Sequence, residues 1–467
     1  MKPTIQNISN PENAFKWTLF HVLLGVTTAF VPWLFILFFY AVAYANFKMM
    51  KLEARKGRME FPILLYAYML SFDILAKLTK SSPFIPVEYS KYTMVALGLY
   101  LIWINPRKSE RVGWLLLFLL IPSLFFDLSG SRTWADIVNN FFGPAGLAIG
   151  VALFGFMRPT PKLINSILRL VWLPMTSIVV CMFIKTPEFD DMNFQLAANV
   201  VTTGGVSSNQ ASTMLGIGMF LSFYSMYSSQ KYSGFWLVDC FFLVLFALQG
   251  LLSFSRGGML VGLIAILIVV FTSSASSKPG RSRSGGLRWS SFLYLALGVL
   301  FLTFTYKAVD ELTGGKLTLR YQGETEGTAA GYAEKDMSRM TSGRSGIWEG
   351  DIAIFKSHPF FGGGAGSSGH LRALYDGFYI APHIELSRLL SEQGLLGLLY
   401  FLILMYIGWK SWDSRQYVHS GNLLFILYVI GILTSFHSSM RTFITPYFIA
   451  VSAMGINANV KSKKVPR

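Results

Sequence analysis

Charge is scarce in this chain. Of its 467 residues only 14% are Asp, Glu, Lys or Arg, where a soluble domain would carry about a quarter. That shortage excludes an ordinary soluble protein. Cysteine is almost missing as well. Cys181 and Cys240 both fall in apolar segments, which excludes a disulfide framework or a thiolate metal site and leaves both as packing residues. There is no heptad or solenoid repeat. A cleaved signal peptide is not expected, because the first apolar stretch far exceeds a signal core and basic residues follow it at once.

What is abundant is apolar surface. Hydrophobic residues make up 53% of the chain and aromatics 15%, with a mean hydropathy of +0.48. A membrane-spanning helix needs about 20 apolar residues. Candidate spans lie near 61–79, 91–105, 112–127, 137–157, 164–184, 209–228, 235–253, 256–273, 290–306, 394–409, 420–436 and 441–457. The stretch Trp17–Phe47 is too long for one ordinary span and short for two, with Pro32 at its middle. One kinked helix and a short hairpin both fit. The expectation is an all-α polytopic membrane protein of 13–14 transmembrane helices. It divides into a bundle at 1–306, one large outward loop at 307–393 containing short helices, and terminal helices with a tail at 394–467.

The net charge of +16 is not a nucleic-acid signature. Loops 47–60, 105–111, 158–163, 229–234, 274–289, 410–420 and 461–467 hold 21 Lys or Arg and 4 Asp or Glu, and the rest of the chain is near neutral. This is the positive-inside pattern, so these loops face the cytoplasm and 307–393 faces outward. Ser273–Arg288 reads as a disordered cytoplasmic connector.

The outward loop has three parts. Residues 307–342 are polar and read as irregular. Residues 344–357 place Ile347, Trp348, Ile352 and Phe355 between charges, as a short amphipathic helix would. Gly362, Gly363, Gly364 and Gly366 then permit positive φ and close backbone approach, giving either an anion nest or a hinge. Pro382 suits a helix start that gathers His383, Ser387 and Arg388. Two helix mouths face the same side. Ser255-Arg256-Gly257-Gly258 puts an arginine at the edge of hydrocarbon, where such residues are costly and often functional. Thr202–Gln210 is small and polar, offering either hydrogen bonds to a sugar or phosphate or a helix cap at Ser208 or Asn209. Asp190-Asp191 alone is a poor cation cage, and no metal is expected.

In order along the chain stand Gly204-Gly205 with Ser208-Asn209-Gln210-Ala211, Ser255-Arg256-Gly257-Gly258 and Gly343-Arg344-Ser345-Gly346-Ile347-Trp348. His358-Pro359-Phe360-Phe361-Gly362-Gly363-Gly364 follows, then His383 ahead of Glu392-Gln393-Gly394-Leu395-Leu396-Gly397. This order resembles the O-antigen ligase and O-antigen polymerase superfamily over about residues 200–410. The resemblance implies glycosyl transfer at the periplasmic face of a bacterial inner membrane, without nucleotide, metal or other cofactor. The donor would be a glycan on undecaprenyl pyrophosphate. The acceptor would be lipid A–core for a ligase, the favoured reading, or another lipid-linked glycan for a polymerase. By resemblance, the catalytic roles fall on Arg256, Arg344 and His383. His383 is followed by Ile384 where the family often has asparagine.

The residue types suit that chemistry. Guanidinium groups grip phosphate in a bidentate fork and stay charged, and an imidazole can take the proton of an acceptor hydroxyl. Glu385 is a rival base, and Arg388, Arg441 and Asn209 are further substrate-binding candidates. Arg132 reads as an interface residue, and Arg320, Arg339 and Arg372 as solvated. A lipid or polysaccharide transporter is the alternative of another class. It would show inverted repeats and mid-span charges, whereas Asp73, Lys77 and Asp239 are the few charges associated with spans.

Overall fold

A computed structural model describes residues 10–188, 194–274, 289–332, 343–376, 383–418 and 420–458, together with Ile8, Met192 and Glu334. The Asp190-Asp191 pair, Arg339, Pro382 and most of Ser273–Arg288 lie outside the described residues. Every regular element among the described residues is helical.

The helices begin with α1 (Ala14–Phe30), α2 (Trp33–Arg55), α3 (Glu60–Leu70), α4 (Phe72–Leu78), α5 (Tyr89–Ile104), α6 (Arg111–Leu120) and α7 (Trp134–Phe154). Next come α8 (Pro161–Lys185), α9 (Ser208–Tyr227), α10 (Trp236–Leu252), α11 (Arg256–Ser274) and α12 (Trp289–Leu312). Residues 307–393 supply α13 (Lys316–Tyr321), α14 (Glu326–Ala329), α15 (Arg344–Ser357), α16 (Ser368–Asp376) and α17 (Glu385–Gln393). The chain closes with α18 (Leu395–Asp413), α19 (Gly421–Ser438) and α20 (Ile444–Ser452). Among the described residues six spans are long and apolar enough to cross a bilayer: Trp33–Arg55, Glu60–Leu78, Trp134–Phe154, Pro161–Lys185, Leu395–Gln416 and Gly421–Arg441. The protein is a multi-pass, all-α membrane protein.

The Trp17–Phe47 stretch is two helices. Pro32 has no N–H to continue the ladder, so α1 ends at Phe30 and α2 starts at Trp33. The two pack on each other, with the rings of Phe20 and Phe38 5.4 Å apart.

Two compact units divide the chain. The first comprises Met1–Val87 and Lys162–Ala333, the second Glu88–Pro161 and Glu334–Arg467. In the first unit α9 and α11 touch backbone to backbone. A Cβ on Gly258 would lie 2.2 Å from the Ser212 carbonyl carbon, and one on Gly216 would lie 2.1 Å from the Gly258 oxygen. Helices in lipid associate through such small-residue faces, because apolar tails offer no hydrophobic drive. The crossing pairs the first turns of both helices, so Asn209 and Arg256 share one end.

Above that end, Phe194, Leu251, Leu252, Phe254, Val309 and Leu317 form a buried cluster. This corrects the expectation of irregular chain at 307–342. Helix α12 runs on to Leu312, Gly314 and Gly315 turn the chain with φ of 62° and 78°, and α13 follows. Asp310 fixes that turn by accepting from the Thr318 N–H at 2.8 Å and its hydroxyl at 2.7 Å. Arg320, expected to be solvated, is buried and donates to the Leu196 carbonyl at 3.3 Å.

In the second unit the glycine turn is wedged rather than hinged. Gly362, Gly364 and Gly366 have φ of 71°, 100° and 84°. A Cβ at Gly362 would meet the Glu392 backbone at 2.4 Å, and one at Gly364 the Phe126 oxygen at 2.3 Å. The amides are consumed inside the fold. Gly363 donates to Ser391, Gly364 to Glu392 and Ala365 to Ser123, at 2.8, 3.0 and 2.9 Å. No anion nest remains in those three groups. Arg132 secures the same turn through the Ala365 carbonyl at 3.1 Å.

The α9–α11 crossing gives a first prediction. Gly258→Ala should cost about 1–3 kcal/mol, because overpacked atoms must shift backbone. Gly298→Ala meets nothing within 4 Å and should leave stability unchanged. Thermal unfolding of the two variants in detergent checks the contrast.

Candidate functional site

The second unit gathers polar groups of α15, α16 and the turn after α19 around α17. Asp351 lies on the buried face of α15 with Ile347 and Ile354. Its carboxylate accepts from the Arg372 guanidinium on α16 and from the Ser387 hydroxyl on α17, the latter at 2.6 Å. One carboxylate therefore ties three helices. Burial pushes its pKa up, and Arg372 opposes that shift. Arg372, expected to be solvated, is only 2% exposed. The apolar neighbours of Asp351 in sequence were the available signal, since a carboxylate on an apolar helix face requires a buried cationic or hydrogen-bonding partner.

Arg388 and Glu385 are likewise buried. Arg388 donates to Glu392 at 2.8 Å and forms a closer ion pair with Glu385. Glu385 also accepts from the Ser439 hydroxyl and, at 3.1 Å, from the Met440 N–H. Glu392 accepts from Ser368 at 2.9 Å. Arg388 and Glu385, expected as substrate-binding candidates, are engaged inside the fold, and Glu385 holds the turn at Ser439–Arg441, where Ser439 takes a φ of 55°.

That turn and the start of α15 present the remaining cations. Arg344 is the first residue of α15 and is partly exposed. Its Nη2 donates to His437 Nδ1 at 2.9 Å and to the His437 carbonyl at 3.3 Å. Arg441 ends the turn and is also partly exposed. His383 stands two residues before α17, partly buried. Burial lowers its pKa to about 4, with the positive charges of Arg441, Arg344 and Arg372 adding to the shift. Three guanidiniums from three separate elements thus act on one imidazole. An anion binding there would meet a fixed positive field beside a neutral proton acceptor.

The first unit holds the other two expected residues. Asn209 is not a cap: α9 begins at Ser208 behind Ser207, and Asn209 Oδ1 accepts from the Ser255 hydroxyl at 2.9 Å. Ser255 in turn accepts from Ser212 at 2.9 Å. This hydrogen-bonded chain locks the turn before Arg256, the first residue of α11, which is partly exposed. Arg256 is within electrostatic reach of Tyr321, whose phenol burial pushes up to about 12 with Tyr306 adding and Arg256 opposing. Nothing local in the sequence marks His437 as a partner of Arg344. The residue separation of 93 positions hid its contact with Arg344.

Residues 241–402 match the family model described as O-antigen ligase. The match includes Arg256, Arg344, His383, Glu385 and Arg388 and excludes Asn209, His437 and Arg441. No curated protein matches the chain.

Two predictions follow from this geometry. The His383 imidazole should titrate near pH 4 rather than near its ordinary 6.5, so it is neutral at pH 7. Arg441→Ala removes one of the charges that disfavour protonation and should move the midpoint upward. Histidine-selective labelling and NMR titration read both. Glu385→Ala takes one carboxylate from buried Arg388 and the acceptor from Ser439 and Met440. It should destabilise by about 3–5 kcal/mol, with Glu385→Gln milder, as denaturant unfolding in detergent would show.

Proposed function

We propose that this chain, which carries an O-antigen ligase domain in keeping with the O-antigen ligase and polymerase superfamily, is a ligase-type glycosyltransferase of the bacterial inner membrane. It moves a glycan from undecaprenyl pyrophosphate to lipid A–core at the periplasmic face. The observation that carries this reading is the convergence of the charges of Arg344, Arg372 and Arg441 on His383.

In this reading Arg344 and Arg441 bind the diphosphate of the donor, and Arg256 in its own unit is a further phosphate-binding residue. The sugar–phosphate bond breaks and its electrons stay with the bridging oxygen. The leaving group is undecaprenyl diphosphate, and fixed cations stabilise the negative charge it gains. The acceptor hydroxyl attacks the anomeric carbon while His383 takes its proton at a ring nitrogen. Arg372 contributes field rather than contact, because its guanidinium is buried against Asp351.

Donor binding also strengthens the base. The guanidinium charges help hold the imidazole pKa down, and a diphosphate offsets those charges when it arrives. A His383 that is a weak base in the unliganded protein becomes a stronger one once the donor is in place. The acid limb of kcat, which reports the bound complex, then lies at higher pH than the acid limb of kcat/KM, which reports the unliganded enzyme.

The decisive experiment reconstitutes the purified protein with a lipid-linked glycan and supplies lipid A–core and a lipid-linked acceptor separately, without nucleotide. Transfer to lipid A–core is expected. Arg344→Ala and Arg256→Ala should each lower kcat about 100- to 1,000-fold, with His383→Ala at least as damaging. Transfer only to the lipid-linked acceptor would make the protein a polymerase. Movement of the lipid across the bilayer with no transfer product would make it a transporter.

A further inference from the structure

His437 sits in the last turn of α19, outside the residues matched by the family model, with 6% of its surface exposed. Both of its acceptors address one atom. Arg344 Nη2 reaches the ring Nδ1 at 2.9 Å and the backbone carbonyl at 3.3 Å. A guanidinium is planar and rigid, so docking one terminal NH₂ at two points fixes the plane of the whole group. Because Nδ1 accepts, the neutral ring carries its proton on Nε2.

The chemistry of this partner differs from that of the neighbouring arginines. Arg372 and Arg388 are held by carboxylates, Asp351 in one case and Glu385 with Glu392 in the other. A carboxylate orients a guanidinium but brings an opposing charge of its own. A neutral imidazole accepts the same hydrogen bond without bringing a negative charge. His437 is itself held from behind, because Glu385 grips Ser439 and Met440 in the turn that follows it.

We propose that His437 is a positioning residue that orients the Arg344 guanidinium for the diphosphate of a polyprenyl-linked substrate. The inference rests on the functional reading above. An arginine side chain has several rotatable bonds, and freezing them only upon ligand binding would weaken binding. Docking on His437 completes that ordering beforehand.

Three substitutions separate orientation from bulk structure. His437→Leu removes the ring acceptor. His437→Asn places Oδ1 near the position of Nδ1 and retains an acceptor. His437→Gln carries its oxygen out toward the Nε2 position and misses. Each is measured in the wild-type and Arg344→Ala backgrounds, in proteoliposomes. One readout is direct binding of undecaprenyl diphosphate, and the other is kcat and KM for the lipid-linked donor. Thermal unfolding confirms that each variant is folded.

His437→Leu and His437→Gln should weaken undecaprenyl diphosphate binding and lower kcat/KM about 10- to 100-fold, the scale of a catalytic group displaced by about 1 Å. His437→Asn should stay within about threefold of wild type, on the same scale. In the Arg344→Ala background the three variants should be indistinguishable, since His437 acts through Arg344 alone. Equal losses in both backgrounds, or a folded His437→Asn as impaired as His437→Leu, would overturn the proposal. Coupled binding losses in a protein that transfers no glycan would uphold the His437–Arg344 link and refute the transferase reading. Transfer with unchanged binding in His437→Leu would do the reverse.

Discussion

A guanidinium withdrawn from water must be met by a carboxylate or by several acceptors, because an uncompensated buried charge costs more than most folds can spare. That constraint organises the second unit. Arg372 and Arg388 lie inside and are matched by Asp351, Glu385 and Glu392. Arg344 and Arg441 stay partly exposed, and their field is felt at His383. The fold thus sorts its arginines by partner as much as by depth. Those with carboxylates hold the structure together, and Arg344 is docked on the His437 imidazole.

The short helix α17 is where this sorting is carried out. Glu385, Ser387, Arg388, Ser391, Glu392 and Gln393 are all buried, which is unusual for so polar a segment. Several of them find partners on other elements. Ser387 meets α15 through Asp351, Glu392 meets α16 through Ser368, and Glu385 meets the turn after α19. The backbone carbonyls of Ser391 and Glu392 receive the glycine turn. These bonds tie α15, α16 and the turn after α19 to α17, and the glycines at 362–366 serve close approach.

Much of this architecture was legible in the chain itself. Apolar runs and the lopsided distribution of Lys and Arg identify a polytopic membrane protein, because hydrocarbon tolerates only helices with satisfied backbones. The amphipathic segment at 344–357 is helical, with Ile347 and Ile354 on its buried side. The fate of individual polar residues was not legible. Arg320 and Arg372 look solvated in sequence because nothing local reveals Leu196 or Asp351 as partners. Asn209 looks like a helix cap until α11 brings Ser255 within 2.9 Å. The glycines at 362–366 suggest an anion nest until Ser391, Glu392 and Ser123 take their amides. In each case the deciding partner is distant in sequence and arrives only through tertiary packing.

In the proposed reaction, the same packing bears on how a weak base can serve a hard deprotonation. An imidazole near pKa 4 is neutral at pH 7 but attracts a proton poorly. Proton transfer is best served when the acceptor's pKa lies near the working pH. Burial alone would hold His383 low permanently. The contribution from the partly exposed Arg441 and Arg344 is different in kind, because a counter-ion can cancel it. A diphosphate beside those guanidiniums would remove much of that depression while leaving burial in place. The imidazole would then gain basicity only when a donor is bound, and would stay a weaker base when the acceptor or water arrives first. A site built this way has a physical means of suppressing wasteful proton transfer, and it needs no moving lid to do so.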